Sequence, residues 1–470
     1  RGCPERRGLS RGQRPKELAM NMKTTTMKLM MRTGVVLLLV LAASESWASQ
    51  VHLDVALGTP AVLAGAKQTA YLRVAMTGFE LKDESRRTPV NVAIVLDKSG
   101  SMQGEKIRQA REAAIMAIGK LRDDDIVSVV TYDTSINVVV PATKVSDRER
   151  VYQAIRGIQA GGNTALFAGV SKGANEVRKF LARNRVNRVV LLSDGLANHG
   201  PSTPAELGEL GRSLGQEGVA VTTIGLGLGY NEDLMTELAQ RSDGNHMFAE
   251  NATDLARAFD NEFGDVLSVV AQEVTVRIQC AKGIRPVRLL GREGDIAGQR
   301  VTTTLNQIYS EQMKYVLLEV EVPAGRRNTA QEIAAVEVSY ANMATKTNDR
   351  LKSNISIAFV DSPEEVERRT NKEVMVAAIR QIGMERNEEA MQLRDEGKIE
   401  EARDLFTSNS AWLGRNSSKF DSRILKEDRW LNQKSSSNLA PGDWAHNRKV
   451  IKAEQYKAKN QQQLDPKGKP

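Results

Sequence analysis

Hydrophobic positions change their period three times along this chain. Over 51–88, short segments such as VHLDVAL and TAYLRVAMTG carry β-type patterning with turn residues between them, and they predict strands. From 89 the apolar runs become continuous: 90–96 (VNVAIVL), 126–132 (IVSVVTY), 188–192 (RVVLL) and 220–225. Runs of this length without alternation suit strands covered on both faces. Amphipathic stretches between them predict helices over 105–121, 148–159, 164–182, 204–216 and 231–241. A short strand over 137–140, a last one over 246–249 and a helix over 253–267 complete the series. Strand and helix alternate about six times, which predicts a doubly wound, Rossmann-like α/β domain over 89–268. In such sheets ligands collect beyond the carboxyl ends of the strands, where the strand order reverses.

After 268 the pattern turns all-β, with EVTVRIQ, RPVRLL, YVLLEVEV, AAVEVSYAN and NISIAFV in succession. Residues 269–361 are expected to pack with 49–88 as a β-sandwich that the α/β domain interrupts. Residues 362–412 turn helical, and 389–406 (EAMQLRDEGKIEEARDLF) predicts a helical hairpin turning at Gly397. Over 413–470, Ser, Asn, Gln and Lys dominate. This composition predicts a basic, mostly disordered tail, with Trp430 and Trp444 as points of local docking.

Charge adds to this picture once it is located. The formal net charge is +8, but basic residues outnumber acidic ones by nine to three over 1–48 and by thirteen to six over 413–470, leaving 49–412 mildly acidic. Aromatic residues are 4% of the chain, too few for a base-stacking nucleic-acid surface. Lys23, Lys28 and Arg32 precede the apolar run 35–43 (VVLLLVLAA), and Ser46-Trp47-Ala48 follows with small residues at its ends. That layout reads 1–48 as a secretory signal peptide cleaved after Ala48, with Met20, Met22 and Met27 as alternative starts. The apolar run is shorter than a bilayer requires, so the mature chain is expected without a membrane span. It is expected to be exported, to a periplasm, a cell surface or the medium. Cleavage leaves Cys280 as the single cysteine, in an apparent strand, and so a buried thiol is expected.

The residues that carry chemistry stand at the ends of these strands. Asp97-Lys98-Ser99-Gly100-Ser101 sets one carboxylate and two hydroxyls at alternate positions after the first α/β strand. Hard oxygens of this kind suit Mg²⁺, Mn²⁺ or Ca²⁺ rather than zinc. Ser at a strand-to-helix turn also serves as a helix cap, so the motif alone leaves both readings open. Gly161-Gly162-Asn163-Thr164 adds a hydroxyl at a helix start, and Ser193-Asp194-Gly195 adds an acid after an apolar strand. Asp97, Ser99, Ser101, Thr164 and Asp194 together resemble the metal-ion-dependent adhesion site of von Willebrand factor type A domains. The resemblance covers roughly 89–268. It implies an ion held by these five side chains, directly or through water, with one position open for a carboxylate from a protein partner.

Catalytic signatures are missing. The four histidines, His52, His199, His246 and His446, form no HExxH pair, and neither GxSxG nor a Walker motif is present. His199 is read as a solvent-facing loop residue, and Asp123-Asp124-Asp125 as a solvated helix end. The expected function is therefore metal-dependent protein binding or adhesion, not enzymatic catalysis. The alternative is a structural or assembly factor of a cell-envelope complex, in which the metal site only stabilises the fold.

Overall fold

The computed structural model describes residues 50–81 and 87–464, together with Gly2. The signal-peptide pattern over 1–48 lies outside the described residues, Gly2 apart. Strands β1 (His52–Leu57), β2 (Ala61–Leu63) and β3 (Gln68–Thr77) lead into the α/β domain. There β4 (Val90–Asp97) is followed by α1 (Glu105–Gly119), β5 (Ile126–Tyr132), β6 (Ile136–Lys144), α2 (Arg148–Arg156) and α3 (Leu166–Arg178). The domain continues with β7 (Val186–Ser193), α4 (Pro204–Gln216), β8 (Val219–Leu226), α5 (Glu232–Arg241), β9 (His246–Ala249) and α6 (Ala252–Leu267). The sheet order is β6-β5-β4-β7-β8-β9, with β6 antiparallel to β5 and the remaining pairs parallel.

Burial explains why β4 does not alternate in sequence. Val90, Val92, Ile94 and Leu96 join a cluster with Ala113 and Ala117 of α1 and Phe259 and Phe263 of α6. Ala93 and Val95 point the other way, into a cluster with Val170 of α3, Leu207 of α4 and Leu238 of α5. With helices on both faces, each fully buried Val, Ile or Leu contributes about 1.5–3 kcal/mol. The chain goes from β4 to β5 on one side and later places β7 on the other, so the reversal falls between β4 and β7.

Downstream, β10 (Val269–Cys280), β11 (Arg285–Leu290), β12 (Asp295–Ala297), β13 (Arg300–Tyr309), β14 (Gln312–Val322), β15 (Thr329–Asn342) and β16 (Asn348–Val360) build two facing sheets with the first three strands. One runs β1-β3-β14-β11 and the other β12-β13-β10-β15-β16-β2. Leu72, Val74, Val316 and Leu318 meet Val274, Val276, Val336 and Val338 in one core. Cys280 is buried there. The α/β domain leaves and rejoins the sandwich at one corner: Gly78 bridges Ser310, and the Ser310 amide donates to Ser268 O at 2.7 Å.

Five helices follow: α7 (Pro363–Arg369), α8 (Lys372–Asp395), α9 (Ile399–Lys419), α10 (Arg423–Ser437) and α11 (Pro441–Lys459). Val374, Ala377 and Ala378 of α8 pack on Ala75, Leu290 and Leu317 of the sandwich. The disordered tail expected over 413–470 is thus corrected to helix through Lys459, after which β17 (Gln462–Leu464) pairs with β14. The polar composition that suggested disorder is an interior hydrogen-bonded seam. Asn409 donates to Gly383 O at 2.9 Å, Asn387 Oδ1 at 2.8 Å and Asn432 Oδ1 at 3.0 Å. The basic residues have specific partners: Arg448 pairs with Glu232, Asp233 and Asp395, and Lys449 with Glu232. Trp444 is buried and donates to Asp395 at 3.0 Å, whereas Trp430 is 61% exposed.

The acidic run at 123–125 also differs from a solvated helix end. Asp125 is fully buried, where it pairs with Arg87 and accepts from the amides of Val90 (2.8 Å) and Arg122 (2.7 Å). Only its neighbours Asp123 and Asp124 are exposed.

Candidate metal centre

Three chain segments meet beyond the carboxyl ends of β4 and β7. Asp97 closes β4, and its Oδ1 accepts the Ser99 amide at 2.8 Å, which bends the chain back toward the strand end. Its Oδ2 accepts from Ser193 Oγ at 2.8 Å. The short 3₁₀ turn Gly100–Met102 has Ser99 at its cap position, yet the Ser99 side chain makes no capping bond. Its hydroxyl lies 3.1 Å from Ser101 Oγ. Ser101 in turn donates to Asp194 Oδ1 at 2.6 Å. The helix-cap reading therefore does not account for either serine.

The second segment is held against the first by its backbone. Gly100 N donates to Gly162 O at 2.9 Å, and Gly161 N donates to Lys98 O at 2.6 Å. Gly162 adopts φ +86°, in the region that disfavours residues with a Cβ. These bonds set Thr164 beside the third segment, where its amide donates to Asn198 Oδ1 at 2.8 Å. Gly195 lies against this cradle: a Cβ there would stand 3.1 Å from Thr164 Oγ1, 3.4 Å from Ser101 Oγ and 3.8 Å from Asp97 Oδ2. The five residues named from sequence are thus brought to one place. Asp97, Ser99, Thr164 and Asp194 are buried, while Ser101 is exposed and marks the open side.

Electrostatics fit a cation. Burial pushes the Asp97 carboxyl above its usual range and Asp194 adds to this, against hydrogen bonds from Ser99 and Ser193. Two buried carboxylates and three hydroxyls are an all-oxygen donor set of the kind Mg²⁺ takes. Sequence reasoning missed Ser193, Asn198 and Lys106, whose Nζ pairs with Asp194 Oδ2. The sequence did contain a signal for Lys106, a cation in the first turn of a helix, where positive charge is disfavoured. Lys98, inside the motif, points away from the carboxylates and pairs with Asp133. His199 is exposed, and among the described residues no histidine bonds to any of the five. Two exposed leucines sit close by: Leu196, at 58%, and Leu228, at 49%, next to Gly229, where a Cβ would stand 2.7 Å from the Asp194 carbonyl oxygen.

This sheet order, with the site at its reversal point, defines an open α/β sheet built to take a ligand above its centre. Residues 91–261 match the family model of the von Willebrand factor type A domain, so the chain carries such a domain. It is 31% identical over 192 residues to the Synechocystis protein sll0103, across 41% of this chain and 45% of that protein. The chain therefore spans less than half the length of the curated relatives it matches first. Among solved structures, the von Willebrand factor type A protein from Catenulispora acidiphila aligns with a TM-score of 0.65 at 17% identity. That alignment covers 81% of this chain and 89% of that one. The ArnB paralog VWA2 from Sulfolobus acidocaldarius aligns with a TM-score of 0.58 at 17% identity, over 86% and 99%. Both likenesses extend well beyond the matched domain, so the larger architecture recurs as a fold.

Proposed function

We propose that Asp97, Ser99, Ser101, Thr164 and Asp194 hold a divalent cation, Mg²⁺ or its substitutes Mn²⁺ and Ca²⁺, and that the ion mediates binding of a protein partner through an acidic side chain. The observation that carries this reading is the convergence of three distant segments on one all-oxygen cradle at the reversal of the sheet. When bound, the ion supplies a positively charged centre able to accept one further oxygen ligand. The chain's own residues do the rest. Asp97 and Asp194 provide the charge, the hydroxyls of Ser99, Ser101 and Thr164 complete the oxygen set, and Gly195 keeps the space clear. Exposed Leu196 and Leu228 give apolar surface beside the site, as a protein interface would use. Domains of this type mediate protein–protein interaction, which agrees with a role in binding. Among the described residues no histidine bonds to the five, and the reading is of binding rather than catalysis. Export to a periplasm, cell surface or medium belongs to the same proposal and rests on the 1–48 pattern.

The test is Mn²⁺ titration of the full chain followed by electron paramagnetic resonance, with Asp97→Ala as comparison. Saturable binding at one site that Asp97→Ala abolishes is expected. A wild-type chain that takes up no Mn²⁺ would overturn the reading. A pull-down from an extract with EDTA or Mg²⁺ then separates ion-mediated partner binding from a purely structural ion. Partners retained equally under both conditions would favour the assembly-factor alternative.

A further inference from the structure

We infer that Lys106 is the site's built-in counter-ion, weakening divalent-cation binding when the site is empty and biasing the loaded site toward anionic partner groups. The inference rests on the metal-site reading above and adds a regulator to it. Asp97 and Asp194 are both buried, at 0% and 1% exposure. Among the described ion pairs, Lys106 is the cation on Asp194, and Asp97 takes part in none. Lys98, the nearest basic residue in sequence to Asp97, is matched by Asp133 and leaves no charge to spare. Lys106 is also out of place on helical grounds. It occupies the first turn of α1, where the helix dipole disfavours a cation, while its neighbour Glu105 turns outward to Arg108. Its ammonium thus goes to Asp194 at a local cost to the helix.

Charge counting then gives two consequences. Without an ion, two carboxylates and one ammonium leave the site one negative charge. An incoming divalent cation must displace or repel the ammonium, so Lys106 competes with it for Asp194. The Lys106 side chain is 39% exposed and has a long flexible stem, so it can yield toward solvent while staying near. With the ion bound, the same count gives one positive charge. A carboxylate from a partner brings that to zero, whereas a neutral hydroxyl or amide leaves it uncompensated. Were Lys106 uncharged, the loaded site would already be neutral and would have no such preference.

The experiment compares wild type, Lys106→Met and Lys106→Arg as full chains, with melting in EDTA as the folding control. Mn²⁺ affinity is read by electron paramagnetic resonance. Lys106→Met should bind at least about tenfold more tightly: one unit charge several ångströms away at an effective dielectric near 20 would amount to about a hundredfold, and the ammonium's exposure to solvent screens part of it. Lys106→Arg keeps the charge and should stay within about twofold of wild type. A second arm adds acetate to the Mn²⁺-loaded proteins and follows loss of ion-bound water by proton relaxation. Acetate should bind several-fold more weakly to Lys106→Met than to wild type. Equal or weaker Mn²⁺ binding by Lys106→Met, or unchanged acetate binding, overturns the inference alone. A wild-type chain that binds no Mn²⁺ overturns the metal-site reading and this one with it.

Discussion

Gly195 is the residue at which the site can be blocked with the least damage elsewhere. Its φ is not positive, so alanine meets no backbone penalty there. The added Cβ would instead crowd Thr164 Oγ1 and Ser101 Oγ at 3.1 and 3.4 Å. Gly195→Ala is expected to weaken Mn²⁺ binding by about tenfold while melting in EDTA changes little, since the fold loses no buried contact. Unchanged Mn²⁺ affinity would show that the cradle does not enclose the ion. A second residue-scale prediction concerns His246, whose Nδ1 lies 2.9 Å from Thr223 Oγ1. Burial, then the charges of Lys449 and Lys452, hold its pKa down to about 3 against an ordinary 6.5. The folded protein therefore keeps this imidazole neutral where the unfolded chain protonates it. Its contribution is fully present above pH 6.5 and is lost as pH falls, by about 1.4 kcal/mol per unit, until the folded group titrates near 3. Urea denaturation at pH 7 and pH 5 should show about 2 kcal/mol more acid loss in wild type than in His246→Asn. Equal losses would mean that the imidazole is protonated within the fold.

At the scale of elements, the docking of α11 on the α/β domain concentrates charge in one place. Arg448 meets three carboxylates, Glu232, Asp233 and Asp395, with its side chain 18% exposed. Arg448→Met takes the cation from Asp395 and leaves Glu232 and Asp233 to Lys449 and Lys452 alone, and a loss of about 1–2 kcal/mol in urea denaturation is expected. On the same helix, Lys457 pairs with Glu454 at 62% exposure, and Lys457→Met should change stability by less than about 0.5 kcal/mol. Similar losses for both variants would mean that α11 is not docked through these charges. The contrast also explains what was legible in the sequence. The α/β domain could be read because helices on both faces force unbroken apolar runs such as 90–96 and 126–132. The end of α9 and helices α10 and α11 could not, because buried Ser417, Asn432, Ser435 and Gln455 stand where apolar residues would have marked a core. The five residues proposed to hold an ion were legible as motifs at strand and helix ends. Ser193 and Asn198 were not, because each acts on a residue whose position depends on the folded sheet, and for Lys106 only its disfavoured place in a first helical turn was visible, not its partner.

Across the whole molecule, buried polar links join the α/β domain to the sandwich. Arg188 of β7, fully buried, reaches Gln307 Oε1 at 2.5 Å and Tyr309 OH at 3.1 Å on β13, and lies 3.5 Å from Glu262 of α6. Asp243 accepts the Asn306 amide at 2.7 Å and pairs with Arg292 at 3.1 Å. Tyr456 of α11 donates to Gly244 O at 2.7 Å. Such links carry a large penalty if left half-made, so the α/β domain should not melt while the sandwich stays folded. An ion held as proposed at Asp97 and Asp194 would then stabilise the entire fold, by about 2.7 kcal/mol at one hundred times its dissociation constant. Calorimetry of the wild type should show one transition that moves upward with Mn²⁺, and Asp97→Asn should show one that does not move. In Arg188→Met, Glu262 is left buried without its cation while the β7–β13 link is lost. That variant should unfold in two steps, with only the α/β step still responding to Mn²⁺. Two steps already present in the wild type would mean that these links hold the domains in place without coupling their stability. In that case an ion at the site would be felt only within the domain that binds it.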